Sequence, residues 1–344
     1  MIKNPKIRKT YNIIIRILII LATYGFLYKQ IILKNNYSDF VSNIEESFQS
    51  TNFVLLFCLG CILVFINWGI ESFKWKYLIK KIEFLSFSKS VKAVLSGISV
   101  SIFTPNRIGE YFGRAFILER ANRFEGVLIT IIGSISQLLV TIIFGSISLI
   151  FFIPEFFDVS EYFFGYFFIG LVISILVILI LLLVFFFNIK ILTSILESFS
   201  KKKWVKFRKR IKIFSQYSKK ELLTVLMLSF SRYIIFTLQF FILLKAFSVD
   251  VIFSQSIIII SIIFLVMTAL PTVTLAELGI RGSVTLYFFG LYFAKHGPLI
   301  DQSNVGIILA SSAIWIINLA IPALLGTIFV VNLKFFRKNP QNNQ

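Results

Sequence analysis

Charge is scarce in this chain. Asp, Glu, Lys and Arg together make up 15% of its 344 residues, against about 25% in soluble domains. Hydrophobic residues reach 57%, and the mean hydropathy is +0.88. That balance excludes a soluble catalytic domain, because apolar runs of membrane-spanning length recur from Tyr11 to Val331 and leave no room for one. Histidine is almost missing: His296 is the single one, in a segment expected as an outer loop. An intramembrane metallopeptidase needs clustered His and acidic ligands, so that class is set aside; no catalytic residue, metal or cofactor is expected, and the chain reads as a non-enzyme. Only two cysteines occur, Cys58 and Cys61. Their C-L-G-C spacing lacks the soluble βαβ context of a redox motif, which leaves small packing residues within a span. No nucleotide-binding loop is present, so any transport is expected to be passive or ion-coupled.

What is abundant is positive charge, with a formal net charge of +19. Its placement argues against nucleic acid, since the cations lie between spans rather than on a soluble basic module. Lys3, Lys6, Arg8 and Lys9 form one group, the six lysines from Lys74 to Lys92 a second, and Lys334, Arg337 and Lys338 the last. Between them, Asn188 to Lys220 carries eleven Lys and Arg against the single acid Glu197. The positive-inside rule accounts for these groups. Each nearby cation adds about 1 kcal/mol of attraction to anionic inner-leaflet lipid.

About 20 apolar residues carry a helix across the hydrocarbon. Full spans are expected at Tyr11 to Leu33, Asn52 to Ser72, Gly126 to Ile153, Tyr162 to Phe187, Leu222 to Phe247 and Ser303 to Leu333. The first is too long for a signal h-region and lacks a small-x-small cleavage site, so it is expected to be retained. Six crossings put both termini on one side, the cytoplasmic one by the rule above. The segments assigned outside carry Asp39, Glu45, Glu46, Glu155, Asp158, Glu161, Asp250 and Asp301. The expected fold is therefore an all-α polytopic membrane protein, one transmembrane domain over 1–344, in the cell membrane.

Two apolar stretches are interrupted. Over 91–118, VKAVLSGISVSIF breaks at Thr104-Pro105 and resumes through GEYFGRAFIL; over 252–294, a run ending MTAL meets Pro271 and PTVTLAELGIRGS. Each break gathers proline, glycine, arginine and glutamate: Pro105, Arg107, Gly109 and Glu110 in the first, Pro271, Glu277, Gly279 and Arg281 in the second. Their flanks predict two re-entrant helical hairpins of opposite orientation, with the two prolines and two glycines as hinges. Paired broken helices mark the binding site of an inverted-repeat transporter, and non-helical backbone at that depth needs protein or water around it. A polar cavity near the midplane follows.

An arginine there costs at least about 2.5 kcal/mol on insertion scales and needs an anionic partner. Two partners fit: a lipid phosphate held in bidentate fashion, or an internal pair, Arg107 with Glu110 or Arg281 with Glu277. Arg114 lies seven residues after Arg107, on a similar face of a regular helix, or else snorkels as Arg120 and Arg123 are expected to. Thr130, Ser134, Gln137 and Thr141 form a polar stripe on one span, as do Ser229, Arg232 and Gln239 on another. Ordinary interhelical hydrogen bonding explains the uncharged members, but Arg232 is too deep to snorkel. Asn67, Glu71 and Asn318 are weaker candidates of the same kind.

These residues resemble the transmembrane, flippase-like family of the lysylphosphatidylglycerol synthases, whose members share a T-P-x-R-x-G-E segment and a later G-L-G-[VI]-R-E segment. Here the two read TPNRIGEYFGRA and AELGIRGS, with Asn106 where glycine is usual and Gly282 where a glutamate is usual. The resemblance implies translocation of a phospholipid or lipid-linked precursor, with Arg107, Glu110, Arg114 and Arg281, which match the two motifs, on the substrate; the depth of Arg232 and the placing of Glu277 beside the second break add these two to the expected substrate-binding set. Only eleven residues follow Leu333, so no aminoacyl-transferase domain is expected. The alternative reading is a non-transporting membrane partner that presents lipid to a separate glycosyl- or acyl-transferase, with the basic segment 188–220 docking it. A homo-oligomer is compatible with either.

Overall fold

The computed structural model describes residues 51–102, 104–157, 162–199, 210–270, 274–297 and 301–331, together with Ile14, Ile17 and Leu21, which are helical and exposed. The expected first span thus lies almost wholly outside the described residues, and Pro271 and the KKKWVKFRK run lie wholly outside them. Among the described residues every regular element is helical.

The apolar runs become α1 (Thr51–Ile79), α4 (Arg123–Phe156), α5 (Tyr162–Phe187), α7 (Lys219–Ala246) and the pair α10 (Asp301–Trp315) and α11 (Ile321–Val330), which a π-helical turn over Ile316–Ala320 joins. These give five helices long and apolar enough to cross a bilayer, matching the expected spans after the first to within a few residues, except that α1 runs seven residues past Ser72. The protein is an all-α polytopic membrane protein. The surface follows suit: α5 turns Ile169, Ile173, Leu176, Ile180 and Val184 outward, an arrangement that suits hydrocarbon contact. Cys58 is exposed on the α1 surface and Cys61 half-buried, both as free thiols. One expectation fails in part, since the basic segment 188–220 is not simply a loop: it contains α6 (Lys190–Phe199) and a short 3₁₀ turn, Lys212–Gln216.

Both interrupted stretches fold as broken helices. The first is α2 (Phe87–Ser101), a 3₁₀ turn over Pro105–Arg107 and α3 (Gly109–Ala115); the second is α8 (Phe253–Ala269) followed by α9 (Thr274–His296). Their open ends lie at opposite ends of α4. Lys89 pairs with Glu119 at 3.2 Å just before α4 begins, and Leu118 lies against Gly126 in its first turn. At the other end, Lys295 donates to the Glu155 carbonyl, and His296 faces the Glu155 carboxylate at 3.5 Å. The tips therefore converge from the two ends of the bundle.

Small residues let the first hairpin close. A Cβ on Gly113 would stand 2.7 Å from the Gly97 Cα, and one on Gly97 would stand 2.8 Å from the Arg114 side chain, so α2 and α3 touch backbone to backbone. Ser99 Oγ also donates to the Ala323 carbonyl on α11 at 2.5 Å. This close approach of small residues is how helices gain packing energy where lipid is as apolar as the protein.

Candidate functional site

The turn between α2 and α3 is strained at its tip. Asn106 (φ 48°) and Arg107 (φ 55°) both adopt the left-handed conformation, which costs an ordinary L-residue roughly 1–2 kcal/mol. Asparagine tolerates it better than most residues, so Asn106 serves where glycine is usual. Thr104 stabilises the turn twice: its carbonyl accepts from the Arg107 N–H at 3.2 Å, and its Oγ1 accepts from the Gly109 N–H at 2.9 Å. Gly109 has no room for a side chain there, since a Cβ would meet Thr104 Cγ2 at 2.9 Å.

Because the backbone reverses at Asn106–Arg107, Arg107 does not share a helix face with Glu110 or Arg114. It reaches across to the second hairpin, where its Nη2 donates to both oxygens of Glu277 at 2.7 Å. Arg281, one turn along α9, donates to Glu277 Oε1 at 2.7 Å. The internal pair expected between Arg281 and Glu277 is present, whereas the pair expected between Arg107 and Glu110 is not. Glu110 binds Arg114 instead. Arg114 is buried, so it neither snorkels nor shares a face with Arg107.

A second carboxylate collects the rest. Glu71 Oε1 accepts from Arg114 Nη1 at 2.7 Å, and Glu71 Oε2 accepts from Arg232 Nη1 and from Lys74 Nζ, each at 2.7 Å. Arg232 also lies over the Trp68 ring, 4.8 Å from its centroid, a cation–π placement. Lys74 corrects the sequence reading, which grouped it with loop lysines. It is 1% exposed, because α1 continues through it to Ile79 and sets it one turn after Glu71. The clue in the sequence is the spacing E-S-F-K: a carboxylate and an ammonium three residues apart face each other on a helix, and the following WKYLI supports its continuation.

From Arg232 a chain of buried amides runs into the bundle. Arg232 Nε donates to Asn67 Oδ1 at 2.8 Å, Asn67 Nδ2 to Asn318 Oδ1 at 3.1 Å, Asn318 Nδ2 to Gln239 Oε1 at 2.9 Å, and Gln239 Nε2 to the Gly60 carbonyl at 2.8 Å. The two ends fix every amide in between, since a guanidinium only donates and a carbonyl only accepts. Asn318 sits in the π-helical turn, a distortion frequent at functional sites.

Both carboxylate clusters border one cavity of about 670 Å³, whose walls come from α1, the first tip, α4, α7, the end of α8 and α9. Lys74, Arg107, Arg232 and Arg281 line it against Glu71, Glu110 and Glu277, and Arg114 stands directly behind Glu71 and Glu110. With every group ionised, positive charges outnumber negative ones by two. Ser134, Gln137 and Thr141 of the expected polar stripe line the α4 wall, while Thr130 accepts from the Trp75 indole at 3.1 Å away from it. Of the expected hinges, Pro105 and Gly109 flank the first break. Gly279 does not sit at the second: it lies inside α9, with nothing within 4 Å of a Cβ placed on it, because the break precedes Thr274.

Two broken helices, tips joined through one carboxylate and an excess of cations around a cavity are the arrangement that the two sequence motifs build. Neither the curated proteins nor the solved structures include a match. Residues 13–298, most of the chain, match the family described as lysylphosphatidylglycerol synthase TM region. The chain belongs to that family, as a multi-pass membrane domain of lipid-related function.

Proposed function

We propose that this protein moves an amphiphile with an anionic headgroup, a phospholipid or lipid-linked precursor, between the leaflets of the cell membrane, with both termini cytoplasmic. The observation that carries this reading is the meeting of the two hairpin tips at Arg107, Glu277 and Arg281 on the wall of a cation-rich cavity. Guanidinium groups match phosphate oxygens in geometry and charge. Glu277 occupies the position such a phosphate would take between Arg107 and Arg281. An entering headgroup replaces the carboxylate, frees one tip from the other and lets access alternate. The hairpins are re-entrant in this reading, and the cavity lies near the bilayer midplane.

The test is reconstitution into vesicles containing acyl-labelled fluorescent phosphatidylglycerol, with dithionite quenching of the outer leaflet as the readout. Leaflet exchange should exceed that of protein-free vesicles. Arg107→Ala and Arg281→Ala should each reduce it about tenfold or more, the equivalent of one lost charge-assisted hydrogen bond. Absence of exchange for any anionic or amino-modified lipid would overturn the reading.

A further inference from the structure

The Glu71 cluster holds more cations than it needs. Lys74, Arg114 and Arg232 converge there, while Glu110, through Arg114, is the one further carboxylate in the network among the described residues. Three positive charges thus stand against two negative ones in a wall closed to bulk water on most sides. A guanidinium cannot release a proton inside a protein, whereas an ammonium can, and buried lysines change charge state readily.

The surroundings of Lys74 suit either state. As an ammonium it has three protons to place, and three acceptors stand within reach: Glu71 Oε2 at 2.7 Å, Ser229 Oγ at 3.3 Å and the Gly133 carbonyl at 3.4 Å. As a neutral amine it keeps two donors and gains a lone pair that needs a donor. The Ser229 hydroxyl supplies one by rotating from acceptor to donor, and the other two contacts stay as they are. A carbonyl in place of Ser229 would serve the ammonium alone; a hydroxyl serves both.

We propose that Lys74 is the proton-exchanging group of this cavity: it holds its proton while an anionic headgroup is bound and releases it when the cavity empties, so that each anion bound is accompanied by one proton. The proposal rests on the headgroup reading above. The charged and polar groups facing Lys74 agree with it from every side. Its own helix brings Glu71, α7 brings Arg232 and the Ser229 hydroxyl, α3 brings Arg114 with Glu110, and α4 brings the Gly133 carbonyl. An anion in the cavity offsets the excess positive charge and favours the ammonium. The sign follows: anion affinity is full at low pH and falls as pH rises through the range where the empty site loses its proton. One linked proton sets the slope at about tenfold per pH unit.

Calorimetric titration of the detergent-solubilised protein with dihexanoyl phosphatidylglycerol, in buffers of different ionisation enthalpy, counts the protons taken up. Wild type should take up about one per lipid within that pH range, as one-site linkage requires. Lys74→Arg, which keeps the charge but cannot lose it, should bind with no proton uptake and a flat pH profile. Proton uptake by Lys74→Arg equal to that of wild type would overturn the assignment. A second measurement does not depend on the lipid: the side-chain ¹⁵N signal of Lys74, identified by its loss in Lys74→Arg, should pass from ammonium to amine in the empty protein as pH is raised across the range in which the protein stays folded. An ammonium signal throughout overturns the proposal alone. Failure of wild type to bind the lipid at any pH overturns the headgroup reading, and the coupling with it.

Discussion

The two carboxylate clusters use the same chemistry in different settings. Glu71 is met by cations from its own helix, from α3 and from α7, and both it and Lys74 are sealed, with side chains 5% and 2% exposed. Glu277 is as deeply placed, at 7%, but its partner Arg107 is 39% exposed and sits on a strained turn of the opposite hairpin. The first cluster ties together helices that small residues and packing also hold. The second joins two tips that come from opposite ends of the bundle. Burial therefore makes Glu71 a fixed centre of charge, whereas the exposure and strain at Arg107 leave Glu277 as the joint that a competing anion can open.

The comparison is broken most sharply by removing each centre in turn. Glu71→Gln leaves the buried Lys74 and Arg114 and the half-buried Arg232 short of their shared partner, and loss of one member of a buried ionic group costs about 3–5 kcal/mol; the thermal midpoint in detergent should fall steeply, or folded protein should not be recovered. Glu277→Gln should cost less, about 1–3 kcal/mol for hydrogen bonds to a charged group, because water reaches Arg107. An equal loss of midpoint in the two variants would erase the distinction. Next in size is the strained tip. Asn106→Val should lower stability by about 1–2 kcal/mol, the cost of a left-handed residue without glycine's or asparagine's tolerance, while Asn106→Gly should fold as wild type does. Asn318→Ala cuts the amide chain behind Arg232 and should cost about 1 kcal/mol, chiefly as weaker lipid retention in native mass spectrometry. The smallest effect belongs to the lipid-facing surface: Cys58→Ser should stay within about 0.5 kcal/mol of wild type.

The span pattern was legible because hydropathy reports it directly, and the two breaks because proline, glycine and charge have no other reason to gather inside apolar runs. Arg107, Glu110, Arg114, Arg232, Glu277 and Arg281 were likewise visible as charges too deep to ignore. Their partners were not. The pairing of Arg107 with Glu277 spans 170 positions and depends on the left-handed turn at Asn106, which local spacing read as an ordinary helix start. Lys74 was misplaced because a lysine just past an apolar run looks the same whether the helix ends there or goes on. Glu71 was ranked low for a related reason: one carboxylate near the end of a span gives no sign that three cations from distant segments will converge on it. The same limit hid the amide chain, whose three side chains become neighbours of one another and of Arg232 only after the spans assemble.

The wide turn at Ile316–Ala320 accommodates one residue more than a regular turn would, and this has a practical corollary. Excising a single residue from that stretch should let the segment relax to ordinary α pitch, with Gly326 still docked on α2, while Asn318 swings out of line with Gln239 and Asn67. Such a shortened chain would separate two properties that point substitutions confound: the assembly of the helical framework, which it should keep, and the aim of the guanidinium at Arg232, which it should lose.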